Sequence, residues 1–319
     1  MNQGPPDYQS GALPKNDYNR YIFKPDITFN ATKWLQLRAN AQYTETDIIE
    51  PQGGTGNISQ ATRISPITPI FTSEGLHMGP GGTPGGNPIA VIDQGGMSSN
   101  LYKEMLSIFS ATINPIKNWN IKPLYSIQNS DRRTHNHSKP ITLYNEDGSI
   151  YSQEPLPQQA ISEEFRNNKT KLFQVTTDYS YSLKEKHNFN VLAGYSSEYN
   201  TYDGFGASRK GPAFADIFVL DIAQDAKDNW GTAYHDAIQS VFGRVNYDYD
   251  GKYLLEANVR ADGSSRFSRD YRWGTFPSFS GGWNVHRESF FSDNIPAISL
   301  LKIRGSWGVL GDALKVSRY

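Results

Sequence analysis

The feature that most constrains this chain is a succession of long segments in which every second side chain is apolar. In "FGRVNYDYDGKYLLEANVRADGSSRF", residues 242 to 267, Val245, Tyr247, Leu255, Ala257 and Val259 alternate with Arg244, Asn246, Glu256, Asn258 and Arg260. Successive side chains of an extended strand point to opposite faces, so the pattern describes strands with one apolar and one polar face. The polar face is charged or amidic, which suits contact with water.

About ten such segments follow one another. "RYIFKPDITFN" sets Tyr21, Phe23, Ile27 and Phe29 against Lys24, Asp26, Thr28 and Asn30, and "WLQLRANAQYTET" sets Leu35, Leu37, Ala39, Ala41 and Tyr43 against Gln36, Arg38, Asn40 and Gln42. "NKTKLFQVTTDYSYSL" and "HNFNVLAGYSSEYNTY" are equally regular, with Phe173 to Tyr181 and Phe189 to Tyr199 at alternate positions. "EMLSIFSATIN" and "WNIKPLYSIQNSD" are noisier, and Pro123 weakens the latter. "RWGTFPSFSGGWNVHRE" and "SLLKIRGSWGVLG" complete the series, and helical periodicity is nearly absent.

Connections alternate in length. Short ones fall at "NATK" (30 to 33), "PIKN" (115 to 118), "LKEK" (183 to 186) and "YDGK" (249 to 252), with Gly251 supplying a positive φ; long ones are expected at about 47–102, 131–162 and 203–234. Tight turns at one end and long loops at the other characterise a transmembrane barrel with short periplasmic turns and long extracellular loops. Strands of about ten residues match a tilted crossing of the hydrocarbon layer, whereas strands of soluble sandwiches run to about five or six. Trp34, Trp119, Tyr249, Tyr253 and Trp273 stand near strand ends, where interfacial aromatic girdles form. The fold class expected is therefore all-β, an antiparallel transmembrane β-barrel segment.

Composition agrees. Hydrophobic residues make up 37% of the 319, lean for a globular core, while 13% aromatics set the chain apart from disordered sequences. A net charge of −1 without a basic stripe points away from nucleic-acid partners. The absence of cysteine excludes a disulfide scaffold and a thiolate metal site. No secretory leader is visible at the N-terminus.

From residue 241 onward a longer pattern emerges. "VFGRVNYDYDGKYLLEANVRADGSSRFSRDYRWGTFPSFSGGWNVHRESFF", followed by "LLKIRGSWGVLGD", resembles the barrel signature of the SusC/RagA family of TonB-dependent outer-membrane transporters of Bacteroidetes. "NRYIFKPDITFNATKWLQLRANAQY" and the stretch from "RISPITPIF" to "NPIA" resemble earlier barrel segments of that family. The resemblance implies a barrel of about 22 strands in the bacterial outer membrane. It further implies TonB-energised import of oligosaccharides or peptides beneath a SusD-type surface lipoprotein. On this reading residues 1–319 are an internal piece of a partial TonB-dependent receptor barrel. Signal peptide, TonB-contacting box, plug domain and remaining strands would lie elsewhere, and the piece alone would be inactive and no enzyme. Val245, Tyr247, Leu255, Ala257 and Val259 are then expected to face lipid; Arg244, Asn246, Glu256, Asn258 and Arg260 are expected to face the lumen.

Two further readings stay open: a complete ten-stranded outer-membrane protease, and a soluble glycan-binding β-protein. No catalytic constellation or cofactor motif stands out. His135 and His137 in "THNHS" lack an evident third metal ligand, and "GPGGTPGGNP" (79 to 88) lacks the Lys-Ser/Thr of a phosphate loop. Trp230 and Tyr234 are the substrate-binding candidates, since aromatic faces stack on sugar rings; an interfacial girdle is the structural alternative.

Overall fold

The computed structural model describes residues 16–79, 87–153, 160–214, 217–295 and 297–311. Most of "GPGGTPGGNP" and the N-terminus lie outside them. The chain forms β1 (Asp17–Phe23), β2 (Asp26–Asn30), β3 (Leu35–Pro51), β4 (Gly96–Ile113), β5 (Trp119–Ser138), a small hairpin of β6 (Thr142–Tyr144) and β7 (Ile150–Gln153), β8 (Ala160–Leu183), β9 (His187–Pro212), β10 (Ala223–Tyr249), β11 (Tyr253–Ser264), β12 (Trp273–Asn284) and β13 (Lys302–Gly308). All except the small hairpin make one 11-stranded antiparallel sheet in near-sequential order. Strands β1 and β2 pair with β3 in a single continuous register, Phe23 opposite Tyr43 and Asp26 opposite Asn40, so they are one strand interrupted at Pro25. Pro25 cannot donate to the ladder, though its carbonyl still accepts from Ala41 N at 3.0 Å. The sheet therefore has ten strand positions.

One regularity organises it. From β1 to β13 odd-numbered residues pair with odd-numbered residues, save at the end of β10 beyond the bulge between Asp225 and Asp228. Because side chains alternate along a strand, nearly every odd residue of the sheet lies on one face. That face carries Phe23, Leu37, Phe109, Phe173, Val191, Val245, Leu255, Phe279 and Trp307, all exposed. Apolar surface of this extent exceeds what water-soluble monomers expose.

Strand lengths are unequal. β8, β9 and β10 run to 24, 26 and 27 residues, so their polar distal halves continue well past the apolar band. Residues 160–171 of β8 alone add roughly 40 Å along the strand at about 3.3 Å per residue. The regions expected as loops at 47–102, 131–162 and 203–234 are accordingly shorter, spanning 52–95, 139–159 and 213–222. The turns "NATK", "PIKN", "LKEK" and "YDGK" close hairpins where expected, and Gly251 has φ +65°.

Two long connections fold on each other. Between β3 and β4 lie α1 (Gly56–Ala61) and α2 (Pro88–Gln94). Asn87 of "NPIA" caps α2: its Oδ1 accepts from Ile89 N (3.1 Å) and Ala90 N (3.2 Å), with Pro88 at the first helical position. Its Nδ2 donates to the carbonyls of Ile70 (2.6 Å) and Met78 (3.1 Å), tying both ends of the loop to the cap. Thr142 N donates to Gln94 Oε1 (2.8 Å) and Ser73 N to Glu146 Oε1 (2.9 Å), which joins this loop to the β6–β7 hairpin.

At the short-turn end, Glu288 of "HRESFF" joins three motif fragments. Its carboxylate accepts from Lys252 Nζ (2.9 Å) and Trp283 Nε1 (3.1 Å), and these two donors with the Tyr253 hydroxyl hold the carboxyl below its ordinary range. A depressed folded-state pKa gives stability that is complete above the unfolded pKa and disappears as pH falls through the folded value. Glu288→Gln should therefore lower the melting temperature of detergent-folded protein near neutral pH, with the gap to wild type closing as pH falls through and below the ordinary carboxylate range. A gap independent of pH in thermal unfolding scans would refute the charge-based role.

Candidate functional site

The even face is polar and hollow. A depression of about 990 Å³ opens near the short-turn end, lined by Asn190, Asn246, Glu256, Ser280 and Arg304 among others. A second, of about 390 Å³, lies at the distal end, between Ser98, Asn136 and Ser162 of the sheet and Gly53 and Thr55 of the α1 loop. Residues Arg244, Asn246, Glu256, Asn258 and Arg260 all lie on this face: Arg244 opposes Asn258 and Asn246 opposes Glu256. Arg260 donates from Nη2 to Ser240 Oγ (2.8 Å) and from Nε to Asp262 Oδ1 (2.6 Å), and Asn258 Nδ2 donates to Glu256 Oε1 (2.8 Å). Val245 opposes Ala257, Tyr247 opposes Leu255 and Val259 opposes Gly243, all on the odd face.

Trp230 and Tyr234 also lie on the even face, in the distal half of β10 and away from the aromatic belt of the odd face. That belt occupies the short-turn end, where Phe189–Tyr247 (4.9 Å), Tyr249–Tyr253 (6.2 Å) and Tyr253–Trp283 (6.3 Å) follow ring by ring. Tyr234 instead stacks on Tyr202 directly across from it, centroids 4.8 Å apart and planes 11° from parallel. Trp230 stands opposite Gly206, where a Cβ would lie 2.6 Å from the indole Nε1, so the glycine lets the indole settle across β9.

Register brings further residues to the same surface. Tyr102, Arg132, Arg166, Gly204 and Thr232 form one row across five strands, each directly opposite the next. Asn100, Thr134, Glu164, Gly206 and Trp230 form the next row outward. Arg132 lies over the Tyr102 ring at 5.2 Å and donates to Asn100 Oδ1 (2.8 Å); Arg166 lies over Trp230 at 5.9 Å and is ion-paired with Glu164. None of these partners was visible in the sequence, because several lie in stretches read as loops and their adjacency depends on register.

The histidine pair does something else. His135 and His137 share the odd face above the apolar band; His135 Nδ1 meets Glu163 Oε1 at 2.6 Å, and His137 stacks on Phe218 at 3.7 Å. Burial, with lesser contributions from neighbouring His135 and Lys139, pushes the His137 pKa down to about 3, so the ring is neutral. Adjacent His235 and Asp236 point to opposite faces, and Asp236 pairs with Arg266 (3.1 Å) of "DGSSRF".

No protein-family profile matches the chain. Over 315 residues, 95% of its length, it is 26% identical to the TonB-dependent receptor P26 of Formosa agariphila, of which it covers 30%. It is 36% identical over 141 residues, 44% of its length, to the TonB-dependent receptor SusC of Bacteroides thetaiotaomicron, of which that match covers 13%. The fold superposes on the RagAB peptide importer in its closed-closed state with a TM-score of 0.74 at 20% identity, over 95% of this chain and 34% of the importer chain. The chain is similar to TonB-dependent receptors along nearly its whole length, and to SusC over 141 residues. It spans about a third of the length of the TonB-dependent receptor P26. Its sheet is an open segment of an outer-membrane β-barrel.

Within this barrel segment the indole of Trp230 depends on a glycine across the ladder. Gly206→Ala places a methyl group 2.6 Å from Trp230 Nε1 and 3.0 Å from the Glu163 carbonyl, so the indole must leave β9. Fluorescence of Trp230, isolated by subtracting the spectrum of Trp230→Phe in each background, should shift to longer wavelength in Gly206→Ala. An unchanged spectrum would refute the packing.

Proposed function

We propose that the chain supplies ten consecutive strands of the barrel of a TonB-energised outer-membrane importer of glycans or peptides, with the odd face against lipid and the even face lining the lumen. The observation that carries this reading is the single apolar face maintained across ten strand positions, opposite a polar face that holds both hollows. Val245, Tyr247, Leu255, Ala257 and Val259 then meet lipid, while Arg244, Asn246, Glu256, Asn258 and Arg260 meet the aqueous interior. The aromatic belt from Phe189 to Trp283 sits at the periplasmic interface, and the distal halves of β8, β9 and β10 project outside the cell. Plug, TonB-contacting region and remaining strands belong to the longer receptor, and a SusD-type lipoprotein closes the outer end. The fold's likeness to the RagAB peptide importer and the sequence likeness to SusC together support import as the activity.

Among the described residues, a ten-stranded segment leaves β1 and β13 each with an unpaired edge. Unsatisfied backbone groups are costly in lipid, so the remaining strands of the barrel are the natural partners of both edges. This argues against the complete ten-stranded protease, and the exposed apolar face argues against the soluble glycan-binding protein.

Two measurements test the reading. Val241→Arg, at an exposed position of the odd face six residues from the belt residue Tyr247, should destabilise the full-length receptor in bilayers by about 2–4 kcal/mol, the cost of a lipid-facing cation near the midplane, whereas Asn246→Arg should change it by well under about 1 kcal/mol. Equal effects in reversible unfolding would reverse or abolish the face assignment. In cells that make the receptor, deletion of its gene, or of TonB, should abolish uptake of its nutrient; uptake surviving loss of TonB would overturn the importer.

A further inference from the structure

The distal even face carries two arginines that oppose each other on adjacent strands, Arg132 on β5 and Arg166 on β8. Like charges in directly opposed positions destabilise a sheet unless something lies between or beside them. Arg166 has such a partner in Glu164. Arg132 does not: its guanidinium is held by the neutral amide of Asn100 (2.8 Å) and the face of Tyr102 (5.2 Å), and no carboxylate of the described residues lies within ion-pair distance. Its Nε is buried without an acceptor. The Thr134 hydroxyl donates to the same Asn100 Oδ1 (2.9 Å), so the amide that anchors Arg132 is itself fixed. Two other carboxylates of this face lie nearby: Glu104, one row nearer the membrane opposite Ser130, and Asp228, one row outward from Trp230 opposite Ser208.

Beside the arginines lies an aromatic platform. Trp230, 39% exposed, settles over Gly206 with the Arg166 guanidinium 5.9 Å from its ring. From β5 to β10 the surface crosses three strand spacings, roughly 14 Å. That span exceeds a single sugar ring.

We infer that this surface is a subsite for an acidic oligosaccharide, with a pyranose ring against Trp230 and the carboxylate of a uronic acid unit taken by Arg132 and Arg166. The inference rests on the importer reading and names the chemistry of its cargo. A carboxylate accepts paired hydrogen bonds from the planar guanidinium fork, and its charge relieves the repulsion between two opposed cations. Tyr102 and Asn100 keep the Arg132 side chain extended across the sheet, so little of its freedom is lost on binding. Specificity follows from the same geometry: a neutral sugar keeps the stacking contact and leaves Arg132 without a carboxylate, Arg166 being already paired with Glu164.

The test is calorimetric titration of the full-length receptor in detergent with tetragalacturonate and with its fully methyl-esterified form. The acid should bind more tightly than the ester, with an affinity that falls as salt rises. Arg132→Gln should weaken binding of the acid about ten- to hundredfold and leave the ester unchanged. Arg132→Lys should fall between, because it keeps the charge and loses the fork. Trp230→Ala should weaken both forms. Lys169→Gln, on the odd face of β8 at similar height, serves as the control for loss of a nearby positive charge. Heat-modifiable migration in gel electrophoresis checks that each variant is folded. Equal affinity for acid and ester, binding of neither, or Arg132-dependent binding of an acidic hexapeptide in place of the saccharide would each overturn the subsite. Those outcomes leave the importer standing if uptake still requires TonB, whereas uptake that persists without TonB removes the importer itself.

Discussion

Everything in this structure depends on the backbone ladder of the antiparallel sheet and on the constancy of its two faces. In hydrocarbon, peptide N–H and C=O groups have no water to turn to, so neighbouring strands must satisfy them. Once that ladder is in place, side-chain alternation decides what each face meets. In this chain the alternation keeps the same phase from strand to strand, save beyond the bulge at the start of β10, so a single apolar surface forms from residues that lie almost 290 positions apart, from Tyr21 to Trp307. A slip of one residue in any strand would carry its apolar set to the polar face.

The receptor's two ends are built by different means. At the short-turn end, packing and ion pairing are local: Glu288 draws together Lys252 and Trp283, and aromatic rings run from strand to strand. At the other end, β8, β9 and β10 continue far beyond the apolar band, and the connections around them are knitted to one another through Asn87, Gln94 and Glu146. Long strands in water need both faces polar, and that requirement gives this region its dense array of charged, amide and aromatic side chains. The same region places Trp230, Tyr234, Arg166 and Arg132 on one surface.

Several motif residues gain physical meaning from the fold. Gly251 takes a positive φ in a three-residue turn, and Asp248 Oδ1 accepts from its N–H at 3.0 Å. Asn87 and Pro88 of "NPIA" start a helix and hold a loop. Arg266 of "DGSSRF" reaches back to Asp236 on the neighbouring strand, with both side chains about nine-tenths covered. Each is a connection between segments, and a linear pattern displays the residues without displaying what they join.

The sequence by itself determined the strand character of the chain, the positions of the tight turns and the division of residues such as Leu255 and Glu256 between two faces. These are local properties: alternation and turn chemistry act over a few residues and need no distant partner. The tertiary structure alone decided how far the strands run and which polar residues meet. Alternation is visible only where one face is consistently apolar, so the distal parts of β5, β8, β9 and β10, which mix polar and aromatic residues on both faces, read as loops at 131–162 and 203–234. Arg132, Arg166 and Trp230 come together through pairing register among four strands, and register is a cooperative property of the whole sheet, set by hairpin geometry and by the shared need to keep one face out of water.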